Sequence, residues 1–149
     1  MAWLVPENML DDQQRDFVEN VDINQRNVWI RGFPGSGKSV LLAYTMKRIK
    51  RKDPNAKVAV VVFTHSLIAM FKAAFAEMGV SANIMTYYEF MDGSSNYDYV
   101  LCDEVQDMIG RVLVTMNSRA KYVIVAGDEN QSIFEIDPKY REATVSPLQ

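Results

Sequence analysis

Cysteine is almost missing from this 149-residue chain: Cys102 stands alone, so no internal disulfide can form. A reducing compartment fits that usage, and a cytoplasmic protein is expected. Histidine is equally scarce. His65 has no second histidine and no neighbouring cysteine to make a metal pair, so it reads as a polar contact or helix-start neighbour rather than a catalytic base. Apolar runs stay well below the roughly 18 residues of a membrane span, and no charged-then-apolar leader opens the chain. Neither a membrane partner nor a secretory signal is expected. Internal repeats and low-complexity tracts are also absent. An excess of basic charge is lacking too: the formal net charge is −3, which excludes a strongly basic nucleic-acid domain and leaves a weak or shared nucleic-acid surface open.

With 48% hydrophobic residues, the chain can bury one ordinary core but is too short for two full nucleotide-binding lobes. The segment Arg31, Gly32, Phe33, Pro34, Gly35, Ser36, Gly37, Lys38, Ser39 satisfies G-x-x-x-x-G-K-[ST] at every fixed position. That pattern arises by chance in roughly one chain in two hundred of this length, so its flanks decide. Asn27 to Ile30 reads as a short buried strand before it, and Val40, Leu41, Leu42, Tyr44, Met46 and Ile49 supply a helix behind it. Strand, loop and helix in that order make a phosphate cradle. Glycines let backbone N–H groups turn inward, and the helix start adds partial positive charge. Lys38 would reach the β and γ phosphates, and Ser39 would hold Mg²⁺ through its hydroxyl.

Turn signals divide the chain into alternating pieces. Helices are predicted from Asp11 to about Val21, from the phosphate loop to near Asp53, from about Ser66 to Met78 and from about Met108 to Met116, with a helical turn over Thr86 to Met91. Strands are predicted at Lys57 to Phe63, Asn83 to Met85, Tyr97 to Cys102 and Lys121 to Ala126. Such alternation implies an α/β fold: a three-layer P-loop NTPase with a mostly parallel sheet, helices on both faces and ligands at the carboxyl ends of the strands. Periodicity fades beyond Pro138, so a domain over 1–136 and an extension or linker over 137–149 are expected.

Two polar clusters follow strands. Asp103 and Glu104 stand at the tip of Tyr99 to Cys102, where one carboxylate would hold the metal, through water, and the other would orient and deprotonate the hydrolytic water. A helix N-cap would look the same in isolation. Gln131, after the strand ending at Ala126, can accept from water and donate to a phosphate oxygen at once, as a γ-phosphate sensor must; alone, the stretch would be an ordinary polar turn. Phe63, Tyr87, Tyr88 and Phe134 could stack on bases, although aromatics near strand ends equally often fill a core. The basic run Lys47, Arg48, Lys50, Arg51, Lys52 complements a helix C-terminus or contacts phosphate.

Taken together, these segments resemble superfamily 1 helicases of the UvrD/Rep-like branch, in the family's order from about Leu10 to Phe134. Gly32 to Ser39 matches the Walker A box, Asp103, Glu104, Val105, Gln106, Asp107 looks like the DExQD Walker B box, and Gly127 to Phe134 resembles G-D-x-x-Q-S-I-[YF]. Leu10 to Arg15 is similar to the adenine-reading Q motif, which would put Gln14 on the base. Val62, Phe63, Thr64, His65 looks like box Ia, and Thr86, Tyr87, Tyr88, Glu89, Phe90 like box Ic. The resemblance implies a RecA-like lobe binding ATP and Mg²⁺, with single-stranded DNA passing Phe63, Thr64, His65, Thr86, Tyr87 and Phe134. It also implies a second RecA-like lobe, in cis or from a partner, that supplies arginine fingers to a monomer.

Departures shape the expectation. Ile136 and Asp137 stand where the family places an aromatic residue and an arginine, which weakens one base-stacking platform. Val40 stands where relatives carry an arginine on the adenine, so base selectivity is expected to be loose. Phe90 to Tyr97 leaves no room for the family's helical insertion. With no second lobe in the sequence, little hydrolysis is expected from this chain alone, and a stand-alone nucleotide switch or interaction module is the alternative. A P-loop kinase fits DExQD and GDxxQS poorly.

Overall fold

Alternate residues of a strand face opposite sides of its sheet, so a strand apolar at every position must be covered twice. Val58–Val62 is such a strand, buried at all five positions. The computed structural model describes residues 6–20, 27–32, 38–62, 65–105, 109–128 and 140–145. Their strands are β1 (Asn27–Gly32), β2 (Val58–Val62), β3 (Asn83–Thr86), β4 (Tyr97–Val105), β5 (Ala120–Asp128) and β6 (Tyr140–Val145). They form one sheet in the order β3-β2-β4-β5-β1-β6, with every pairing parallel. Helix α1 (Asp12–Asn20) precedes β1, and α2 (Lys38–Lys52), α3 (His65–Met78), α4 (Tyr87–Asp92) and α5 (Ile109–Arg119) connect successive strands from β1 to β5.

The two faces of the sheet make two separate cores. Val58, Val60, Val62, Leu101, Ile124 and Ala126 pack with Val28 and Ile30 against α2, α3 and α1, through Leu41, Leu42, Met46, Phe71, Phe75 and Val18. The intervening residues Ala59, Val61, Val100, Cys102, Val123 and Val125 meet Tyr87, Phe90 and Met116 of α4 and α5 on the other side. This is the expected three-layer arrangement. Among the described residues no helix is long and apolar enough to cross a membrane.

Strand ends run beyond expectation. β4 runs on through Val105 and β5 through Asp128, because Val105 pairs with Gly127 and Gly32 of β1 pairs with Asp128. Backbone pairing with a neighbour carries a strand past the point where apolar side chains stop. Beyond Pro138, where an extension or linker is expected, the chain adds β6, which pairs with β1 from Asn27↔Tyr140 to Gly32↔Val145. An outer strand can be short and polar, so periodicity did not mark it.

The chain leaving β1 crosses β5 and β4 to reach β2, whereas the chain leaving β5 crosses β1 to reach β6. Connections departing in opposite directions open a crevice at the carboxyl ends of the strands, where ligands bind in such sheets.

Leu101 is fully buried in the middle of β4. Leu101→Ala should lower unfolding free energy by about 2–5 kcal/mol, read as a lower urea midpoint at unchanged slope.

Candidate nucleotide site

β1 and α2 flank the glycine-rich loop, with Lys38 and Ser39 as the first two residues of α2. Both are half-buried. Pro34, Gly35, Ser36 and Gly37 lie outside the described residues, and Gly32 ends β1. Unpaired N–H groups and the positive end of the helix dipole collect at the start of a helix, so an acid is favoured there.

Asp103 supplies that acid. It lies in β4, two strands from β1, and is only 1% exposed. The Ser39 hydroxyl donates to its Oδ2 at 2.6 Å, bridging 64 positions of sequence. That length belongs to charge-assisted O–H···O⁻ bonds, roughly twice as strong as neutral ones. Burying a carboxylate is costly without such partners.

Local strand geometry explains how Asp103 and Glu104 come to this edge. Cys102 pairs with Val125, but Val105 pairs with Gly127, so β4 covers three steps where β5 covers two. The extra residue falls at Asp103 and Glu104. Irregularities of this kind break strict alternation and re-aim side chains. Beside them, burial and the Asp103 charge push the Cys102 thiol well above its ordinary range. Cys102 is therefore a packing residue, as its apolar strand suggested.

Sheet order places the carboxyl ends of β1, β5 and β4 side by side, so Gly32, Asp128 and Asp103 stand on neighbouring strands. Gln131 and Phe134 lie outside the described residues, as do Phe63 and Thr64.

Gln14 turns out to serve its own helix. It is 1% exposed, its Oε1 accepts from the Asp11 N–H at 3.0 Å, and its N–H donates to Asp11 Oδ1 at 2.8 Å. This reciprocal pair is a capping box at the start of α1. Thr86 does the same for α4: its Oγ1 accepts from the Glu89 N–H at 3.2 Å, and Glu89 Oε1 accepts from the Thr86 N–H at 3.2 Å. The Tyr87 ring is buried in the α4/α5 core, so its expected place on a DNA strand is corrected to a packing role. Its neighbour Tyr88 is 70% exposed, and His65 is exposed at the start of α3. Helical spacing decides between the two tyrosines, since adjacent residues on a helix cannot face the same way.

Solved structures share this architecture. The chain is similar to the Pif1 helicase from Candida albicans at 17% identity and a TM-score of 0.60, covering 95% of this chain and 40% of that one. It is also similar to the Sulfolobus solfataricus SWI2/SNF2 ATPase core solved in complex with dsDNA, at 12% identity and 0.58, covering 73% and 28%. The HK97 bacteriophage large terminase matches at 14% identity and 0.58, covering 88% and 38%. The chain thus spans less than half of each of these structures, and the likeness is one of fold: a RecA-like P-loop NTPase. No curated protein matches the sequence. A family model described as an AAA domain, AAA_19, matches residues 14–137, and the chain belongs to that family.

Proposed function

We propose that the chain is the nucleotide-binding lobe of a UvrD-like superfamily 1 DNA helicase or translocase, taking ATP and Mg²⁺ at the carboxyl ends of β1, β4 and β5. The Ser39–Asp103 hydrogen bond carries this reading, because it joins the end of the phosphate loop to the acidic strand across the sheet. A hydroxyl and a carboxylate are hard oxygen donors suited to Mg²⁺, which takes one or two protein ligands and completes its shell with phosphate and water. Among the described residues no group of three or more His, Cys, Asp or Glu competes as a metal site.

In this reading the amides from Gly32 to Ser39 cradle the phosphates and Lys38 neutralises the β and γ oxygens. Ser39 would hold the ion through its hydroxyl and Asp103 would hold it through water. Bound Mg²⁺ supplies charge compensation at the phosphate oxygens. Glu104 orients the attacking water and takes its proton, and Gln131 senses the γ phosphate. Hydrolysis by this lobe alone is slow, because arginine fingers from a second RecA-like lobe contribute roughly 10³–10⁵ in rate in related systems. The SWI2/SNF2 core solved with dsDNA and the Pif1 helicase support DNA as the partner, and the resemblance in sequence makes it a single strand. One observation favours a nucleotide switch without strand binding: Tyr87 and Thr86, two expected strand contacts, serve the core and a helix cap.

Lys38→Ala should abolish ATP binding in calorimetry while Glu104→Gln retains it; unchanged affinity in Lys38→Ala would falsify the site. Labelled single-stranded DNA titrated with and without a non-hydrolysable ATP analogue separates the two readings, since only the helicase lobe couples the ligands. Ser39→Ala removes one donor from the buried Asp103 carboxylate, and nucleotide-free protein should lose about 1–3 kcal/mol in urea unfolding. Gln14 is buried in a cap and Val40 is apolar, so ATP and GTP should bind within about tenfold, or 1.4 kcal/mol, in the same titration format. A preference for ATP of a hundredfold or more would show that the base is read after all.

A further inference from the structure

A hollow of about 380 Å³ opens at the far end of α2 from Lys38, between the last turns of that helix and the turn after α3. It is lined by Lys47, Lys50 and Arg51, with Pro54, Gly79, Val80 and Ser81. A second hollow of about 210 Å³ lies on the other side of the same cations, between α2 and α1, and adds Arg48 and a single acid, Glu19. Lys47 and Arg51 line both, so they form a ridge between them. One helical turn separates the pair, about 6 Å along the axis. That spacing is close to the separation of neighbouring phosphates on a nucleic-acid strand.

Compensation of helix dipoles does not use up this charge. α2 and α3 both end here, each with roughly half a negative charge at its C-terminus, against four cations in the five residues from Lys47 to Arg51. Asp53 follows α2 and Glu19 lines the second hollow, so cations outnumber these acids on the ridge. The cations are also held in place. Lys50 Nζ donates to the Ala56 carbonyl at 2.6 Å and Lys47 Nζ stands 6.0 Å from the centre of the Tyr44 ring. A chain with a net charge of −3 thus keeps a concentrated positive ridge.

The geometry points to a second polyanion surface on this ridge, one that takes the phosphodiester backbone of a nucleic-acid strand. It lies beside the segments that enter β2 and β3, the opposite edge of the sheet from His65, Tyr88 and the nucleotide site. A strand held there would be anchored apart from any strand moving past the carboxyl edge. Backbone contacts of this kind carry no sequence preference. The surface is independent of nucleotide.

The test titrates the whole chain, without nucleotide, into fluorescein-labelled oligothymidylate between about 50 and 200 mM salt. Four phosphate contacts give a slope of log affinity on log salt near −3, at about −0.7 per contact on a single strand. Lys47→Ala with Arg51→Ala should flatten the slope by about 1.4. Lys47→Gln with Arg51→Gln keeps the aliphatic stems and should do the same, so loss of packing cannot imitate the result. ATP affinity should be unchanged in both double variants, and Lys38→Ala should leave the slope intact, which separates this surface from the nucleotide site. An unaltered slope in the Gln variant overturns the inference. So does tighter binding of labelled oligoglutamate than of oligothymidylate, which would make the partner an acidic polypeptide.

Discussion

A carboxylate buried to 1% exposure at the carboxyl end of an inner strand is the constraint from which the candidate site follows. Asp103 can stay there because the first turn of α2 faces it with a hydroxyl donor and the positive end of a helix dipole. The bond to Ser39 therefore does two things. It gives one oxygen of a costly charge a donor, and it fixes the start of α2 against a strand two places from β1 in the sheet. With that angle set, the apolar stripe of α2 from Val40 to Ile49 meets the β2, β4 and β5 side chains of one face.

The irregularity in β4 belongs to the same design. The extra residue between Cys102 and Val105 breaks strict alternation at the carboxyl end of β4, where Asp103 meets Ser39.

Much of the molecule was legible in its residues. Buried strands such as Val58–Val62 announce themselves by unbroken β-branched runs, and the loop before Lys38 by its glycines. Strand ends were harder to read. β4, β5 and β6 extend into polar sequence because partners across the sheet supply their hydrogen bonds, and no local pattern carries that information. Thr86 and Gln14 show a second limit. A Thr or Asp three positions before a Glu or Gln is a capping signature as much as part of a longer motif, and here the caps form.

Sequence alone determined the alternating α/β plan, the phosphate loop and the residue types of the acidic strand end, since period, glycine placement and charge are local properties. Tertiary structure decided which acid touches Ser39, which of Tyr87 and Tyr88 is exposed, and that residues 140–145 finish the sheet. It also gathered four cations into one ridge between two hollows. Those outcomes depend on strand order and helix rotation, which arise only when distant segments pack and pay the shared cost of burying their backbone.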